Sequence, residues 1–190
     1  ILVVDSFSTD RTVEICQKKG VRVATHAFEG HIEQKNYAMS LAEYDHILSL
    51  DADEALSEEL KASIRIVMDK WEHDGYRMNR LTNYCGKWIR HSGWYPDKKI
   101  RLWDRRRGKW GGVNPHDRIV MDHGASTGQL VGDLLHHSYY SLRQHIAHVN
   151  NFSSIAADAA YKQGRKANLV SDILCNPFLT FFKKYFLQLG

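Results

Sequence analysis

Asp51 and Asp53 stand two residues apart in Leu50-Asp51-Ala52-Asp53-Glu54, at the end of the apolar run 46–50. If strand geometry persists through the motif, residues two apart project to one face, and both carboxylates stand at one edge of a sheet. Hard oxygen donors of this kind suit Mg²⁺ or Mn²⁺, which keep some water and take further ligands from phosphates. An ion held there stabilises negative charge developing on a phosphate group. By itself the spacing fits equally well a helix cap beside a solvated turn residue, because Asp-x-Asp is short and common.

A second concentration of chemistry lies between residues 87 and 110. Trp88, Trp94, Trp103 and Trp110 are interleaved there with Arg90, Arg101, Arg105, Arg106 and Arg107. Aromatic faces stack on sugar rings and guanidinium groups grip phosphates, which suits a phosphorylated glycan. The mixture also suits single-stranded nucleic acid, held by stacking and charge and released steeply by salt. Some of these aromatics must be core, and Arg105-Arg106-Arg107 reads equally as a solvated turn.

The elements that must position these residues are legible in the pattern. Ile1-Leu2-Val3-Val4 is continuous and apolar, as in a buried parallel strand. Such a strand wants neighbours on both sides, so an opening strand and helix are expected ahead of residue 1, and Gly190 reads as another edge. A helix over 11–19 follows, capped by Thr9 or Asp10 and closed by Gly20. A strand at 21–25, a helix at 33–43, the strand at 46–50 and a helix opened by Ser57 and running to about 71 complete a β-α-β-α-β-α order. That alternation predicts a mostly parallel sheet whose ligands gather beyond the carboxyl ends of its strands. From 75 to 137 the texture changes to short strands near 75–83, 98–103, 118–121 and 129–135, an antiparallel or mixed half. A helix over 141–163 and an amphipathic stretch carrying Leu174, Phe178, Phe181, Phe182, Tyr185 and Leu189 end the chain.

With 190 residues, 43% hydrophobic, the length favours a single α/β domain: 1–74, 75–140 and a helical 141–190. The net charge of +4 is well short of a dedicated nucleic-acid binder, and none is expected as partner. Cys16, Cys85 and Cys175 are odd in number and scattered, which argues against a disulfide framework and fits a cytoplasmic setting. No apolar run reaches the roughly 18 residues of a membrane span, so the expected location is cytoplasmic, with peripheral contact to the inner face of the membrane through 174–189.

Three blocks together carry a resemblance. Val3-Val4-Asp5-Ser6-Phe7-Ser8-Thr9-Asp10, then Phe28-Glu29-Gly30 with Gln34-Lys35-Asn36-Tyr37-Ala38, then Leu50-Asp51-Ala52-Asp53-Glu54 resemble the successive motifs of family 2 glycosyltransferases with the GT-A fold. Arg90-His91-Ser92-Gly93-Trp94-Tyr95-Pro96-Asp97, Ile100-Arg101-Leu102-Trp103 and His137-Ser138-Tyr139 resemble the bacterial lipopolysaccharide-core β-glucosyltransferase branch. The resemblance implies inverting transfer of a hexose, glucose in that branch, from a UDP-sugar to a glycan or lipid-linked acceptor. It implies that Asp5 contacts base or ribose, Lys35 lies near the diphosphate, Asp51 supports the nucleotide or metal, and Asp53 is the principal ligand of Mg²⁺ or Mn²⁺.

An inverting transfer needs a base to take the acceptor's proton. Asp117 is the candidate, in Pro115-His116-Asp117-Arg118, where relatives carry a His-Glu pair and lack the inserted-looking Asn114-Pro115. The plainer alternative is a surface pairing of Asp117 with Arg118. Trp94, Arg101 and His116 are candidate acceptor contacts. The family often supplies a late histidine to the metal or diphosphate. Adjacent strand residues face opposite ways, so only one of His136 and His137 can serve, and the spacing to Ser138-Tyr139 favours His137. A sugar nucleotidyltransferase also places paired Asp at a parallel-sheet edge, but usually brings a Gly-rich phosphate loop, and none is seen in this sequence.

Overall fold

The computed structural model describes residues 1–114 and 116–189; Pro115, in the segment read as inserted, and Gly190, read as an edge, lie outside them. The element order is β1 (Leu2–Asp5), α1 (Thr12–Lys18), β2 (Arg22–Thr25), α2 (His31–Ser40), β3 (His46–Leu48), β4 (Glu54–Leu56), α3 (Glu58–Asp69), β5 (Gly75–Tyr84), β6 (Lys87–Ile89), β7 (Asp97–Asp104), β8 (Gly108–Val113), β9 (His116–Met121), β10 (Thr127–Tyr139), α4 (Leu142–Lys162) and α5 (Asn176–Phe182). Two compact units interleave in sequence. One comprises Ile1–Ser49, His73–Tyr76 and Ile100–Thr127, the other Leu50–Glu72, Arg77–Lys99 and Gly128–Gly190.

In the first unit β1 and β2 pair in parallel, Leu2 opposite Arg22, with α1 as the crossover. Arg11, rather than Thr9 or Asp10, stands at the N-cap of α1 and supplies no side-chain cap; Asp10 Oδ1 accepts from Thr12 N at 2.9 Å just ahead of the helix, and the chain leaves it through Gly20 at φ +66. The parallel pairing does not extend to β3, which runs antiparallel to β7 with Ile47 opposite Trp103. An apolar run does not say which way a strand's neighbour runs, nor does this one bury both faces: Leu48 is 38% exposed. β8 and β9 form a hairpin with Trp110 opposite Ile119. Trp103, Trp110 and Ile119 make the buried cluster, with Ile32, Met39 and Ile47 packed against it. Trp103 Nε1 donates to Gly108 O at 3.0 Å, so the largest core side chain buries no unpaired donor.

In the second unit β10 lies between β5 and β4, and β6 pairs antiparallel with β5. β4 carries no alternation or β-branched residue to mark it; its partner β10, antiparallel with His136 opposite Glu54, is what makes it a strand. Ser57 caps α3 as read, its Oγ accepting from Leu60 N at 3.2 Å, with Glu58 and Glu59 at the positive end of the helix. Leu60 and Ile64, one turn apart, are the residues α3 buries. α4 opens on Ser141, which accepts from Gln144 N at 3.2 Å. The amphipathic end is two π-helical turns, Leu169–Cys175 and Lys183–Leu187, flanking α5. Phe178, Phe182 and Tyr185 on it are all more than half exposed. Among the described residues no helix is long and apolar enough to cross a membrane.

Candidate functional site

The motif Asp51-Ala52-Asp53-Glu54 is a turn in the second unit, not a continued strand. Glu54 N donates to Asp51 O at 3.0 Å and Glu54 Oε2 accepts from Asp51 N at 3.0 Å, so the glutamate closes the turn from both ends. Its side chain is wholly buried, with Arg80 Nη1 3.9 Å from Oε1. Strand geometry therefore does not persist through the motif, and the turn rather than alternation places Asp51 close enough for its charge to act on Asp53. Glu54 was not among the expected site residues. The signal for it was an acid directly ahead of an apolar pair, a position where a charge persists only with partners.

Register fixes what meets Asp53. His136 lies opposite Glu54, and the next residue, His137, donates its backbone N–H to Asp53 O at 2.9 Å. Alternation then sends the two imidazoles to opposite faces, as expected, but in the other assignment. His136 Nε2 lies 3.2 Å from Asp53 Oδ2, while the His137 ring meets Trp88 edge-on, with centroids 5.2 Å apart. Because a carboxylate can only accept, Nε2 carries the proton of this bond. The bond from His136 holds the Asp53 carboxyl below its ordinary value, against the opposing pull of burial. Nδ1 of the same ring faces Thr82 Oγ1 at 3.5 Å.

The donor set fits a small hard cation in one respect. Among the described residues no three His, Cys, Asp or Glu side chains converge into a closed cage. Two carboxylates in a turn are what Mg²⁺ or Mn²⁺ uses when phosphates and water complete the shell.

In the first unit Asp5 ends β1 and is buried. Its Oδ2 accepts from Ser8 N at 2.9 Å, and hydrogen bonding by Ser8 holds its carboxyl below the ordinary range. Asp5 thus shapes the loop that turns through Phe7 at φ +61. Asp117 does not pair with Arg118. Lys35 Nζ reaches it from α2, donating to Oδ2 at 2.8 Å, and both side chains are more than four-fifths buried. His116 begins β9 as an exposed residue opposite Val113.

Part of the expected acceptor surface is internal, while Trp88 and Arg90 in it are exposed. Arg101 is 5% exposed, with its guanidinium 5.1 Å from the centre of the Trp110 ring, so burial takes it out of reach of a bulky glycan. Trp94, in the second unit, packs edge-on against Tyr84 at 6.0 Å. Each member of Arg105-Arg106-Arg107 has a structural partner. Arg105 donates to Met39 O and Ala42 O at the end of α2, Arg106 grips Asp104 at 2.7 Å, and Arg107 reaches Asp74 at 3.2 Å. Trp103 and Trp110 belong to the core and are not free to stack on a ligand, whereas Trp88 is 39% exposed.

The Arg106 pairing has a consequence for acid stability. Hydrogen bonds from Arg106 hold the Asp104 carboxyl below its ordinary value, against the effect of burial. A depressed carboxyl contributes stability above its unfolded value and loses it as pH falls through the folded one. The unfolding temperature should therefore drop below about pH 4, and Asp104→Asn should shrink that drop by roughly 2–4 °C, the shift that about 1 kcal/mol produces in a chain of this size. Thermal unfolding between pH 5 and 2 checks this; an unchanged slope in the variant removes Asp104 from the account.

Comparison with known proteins places this geometry in context. The model of Glycosyl transferase family 2 matches residues 1–125. An uncharacterized glycosyltransferase of Rickettsia prowazekii is 29% identical over 98% of this chain and 68% of its own length, and one of Rickettsia felis is 30% identical over 98% and 71%. The lipopolysaccharide core biosynthesis glycosyltransferase LpsC of Rhizobium meliloti is 24% identical over 98% of the chain and 71% of its own length. The chain thus spans about two thirds of the length of these relatives.

Proposed function

Because the chain belongs to glycosyl transferase family 2, with the mixed α/β architecture of the GT-A class, we propose that it transfers a hexose from a UDP-sugar to a cell-envelope glycan with inversion. The observation that carries this reading is Asp53: an acid in a turn, its carboxyl held below its ordinary value by His136. Asp51 and Asp53 would hold Mg²⁺ or Mn²⁺, which supplies charge neutralisation to the departing diphosphate. Asp117 takes the proton of the acceptor hydroxyl as that oxygen bonds to the anomeric carbon. The anomeric carbon–oxygen bond breaks, and its electron pair leaves with the nucleoside diphosphate. Glucose as the sugar and a lipopolysaccharide-core acceptor are supported by the motif resemblance at 90–103 and by the Rhizobium meliloti relative.

Calorimetric titration of the full-length protein with a panel of UDP-sugars, with and without Mn²⁺, tests the donor. UDP-glucose should bind in the micromolar to millimolar range common for substrates, and only with the ion. Binding of every UDP-sugar that is indifferent to Mn²⁺ refutes the metal-dependent reading.

The acceptor's setting follows from the other end of the chain. Residues 174–189 present Phe178, Phe182 and Tyr185 to solvent beside Lys183 and Lys184, a combination suited to the surface of an anionic bilayer. Co-sedimentation with vesicles containing phosphatidylglycerol should exceed that with pure phosphatidylcholine, and Phe178→Ser with Phe182→Ser should abolish the excess. Equal sedimentation with both vesicle types counts against membrane contact.

A further inference from the structure

We propose that Lys35 is a positioning residue for the base Asp117 rather than a ligand of the donor diphosphate, an inference that rests on reading Asp117 as the base. The two come from α2 and β9, 82 residues apart in sequence, and meet at 2.8 Å in a site where little of either side chain is exposed. The ammonium also lies 4.3 Å from the centre of the Trp110 ring, so carboxylate and aromatic face hold it together.

The support beneath it is rigid. Trp110 is 2% exposed and meets Trp103 edge-on at 6.0 Å. Asn36, the residue after Lys35, donates from Nδ2 to Trp110 O at 3.0 Å and accepts at Oδ1 from Trp110 N at 3.2 Å. This two-way bond fixes α2 on β8, and with it the height of Lys35 over the indole. A chain of contacts therefore runs from the core through Trp103, Trp110 and Lys35 to Asp117.

The chemistry needs such a chain. A carboxylate base must present one oxygen to the acceptor hydroxyl within hydrogen-bond reach, and a misplacement of about 1 Å costs on the order of a hundredfold in rate. Lys35 engages Oδ2, which assigns the proton transfer to Oδ1. A phosphate drawn to the same ammonium would compete with Asp117 for it and release the base from its geometry.

The test uses the full-length protein and whichever UDP-sugar of the panel the wild type consumes, reading kcat, donor KM and unfolding temperature. Lys35→Met should lower kcat ten- to a hundredfold with donor KM within about twofold, the signature of an interaction that matters in the transition state. Lys35→Arg, which keeps a cation on Asp117, should recover most of the loss; a purely structural role would instead follow the unfolding temperature. Lys35→Met combined with Asp117→Asn should be no slower than Asp117→Asn alone, since a positioner has no effect without the group it positions. A donor KM raised tenfold at unchanged kcat in either Lys35 variant overturns the proposal and returns the lysine to the diphosphate. If Lys35→Met does not fold, the Arg variant alone decides between these outcomes. An unchanged kcat in Asp117→Asn overturns the base reading itself, a result distinct from a slow Asp117→Asn beside a normal Lys35→Met, which overturns the positioning role only.

Discussion

Gly132→Ala should leave little folded protein at 37 °C, although the change adds one methyl group to a strand with an exposed neighbour at Val131. Gly132 sits in β10 at φ +97, a conformation L side chains rarely adopt. A Cβ there would stand 2.3 Å from Leu60 N and 2.8 Å from Leu60 Cα, atoms of the first turn of α3 that cannot swing aside as a side-chain tip would. That turn is tied to the same stretch of β10 from several directions. Ser57 N donates to Asp133 O at 3.0 Å, Asp133 N to Ser57 Oγ at 3.1 Å, and Val131 N to Ser63 Oγ at 3.1 Å. Relief by moving the helix breaks these bonds and lifts Leu60, which is fully buried. Backbone strain of about 1–2 kcal/mol and overpacking of about 1–3 kcal/mol together remove a large part of the roughly 5–15 kcal/mol that holds a domain. Denaturant unfolding should show a loss of about 2–5 kcal/mol, or the variant should be recovered insoluble. A loss under 1 kcal/mol would mean that helix and strand separate more freely than their hydrogen bonds imply.

This contact also marks where the sequence stopped being legible. Ser57, Glu58 and Glu59 announce the start of α3 because capping is a local matter, decided within one turn. Ser141 and Gly20 were legible for the same reason. The order of elements through α3 followed from period and punctuation, except that β4 intervenes, a strand made by its partner rather than by its own residues. Nothing local says that β3 turns its edge to β7, or that Gly132 must be bare because a helix begun at Ser57 lies across it. Both are facts about residues more than fifty positions apart.

The candidate site divides along the same line. The acids were legible as acids; their partners were not. Lys35 and Asp117 were each marked, with the diphosphate and Arg118 as expected neighbours, and the structure joins them to each other. The alternation rule correctly limited Asp53 to one imidazole, but choosing His136 over His137 needed the register of β10 against β4, which depends on where the turn at 52–53 closes. Arg101 was read as an acceptor contact because guanidinium groups grip phosphates. It lies instead in the core beside Trp110, a packing arrangement with no trace in spacing.

Asp53→Ala should abolish the Mn²⁺-dependent part of donor binding and lower turnover by about 10²–10³, the several kcal/mol that a bound cation contributes to a developing phosphate charge. The fold should not suffer. The Asp53 side chain is 44% exposed, and the bond that ties the turn to β10 is His137 N to Asp53 O, a backbone contact that alanine keeps. An unfolding temperature near that of wild type would therefore separate lost chemistry from lost structure. Two companion variants locate the effect. His136→Gln removes the imidazole that holds the Asp53 carboxylate in place and should weaken Mn²⁺-dependent binding several-fold. His137→Gln disturbs only the edge contact with Trp88 and should bind as wild type does. The reverse ranking would return the metal to His137 and show that the imidazoles exchange faces when donor is present. Donor and Mn²⁺ binding by Asp53→Ala within threefold of wild type would remove Asp53 from the reaction; Glu54 does not replace it, because its side chain is buried and its Oε2 already accepts from Asp51 N.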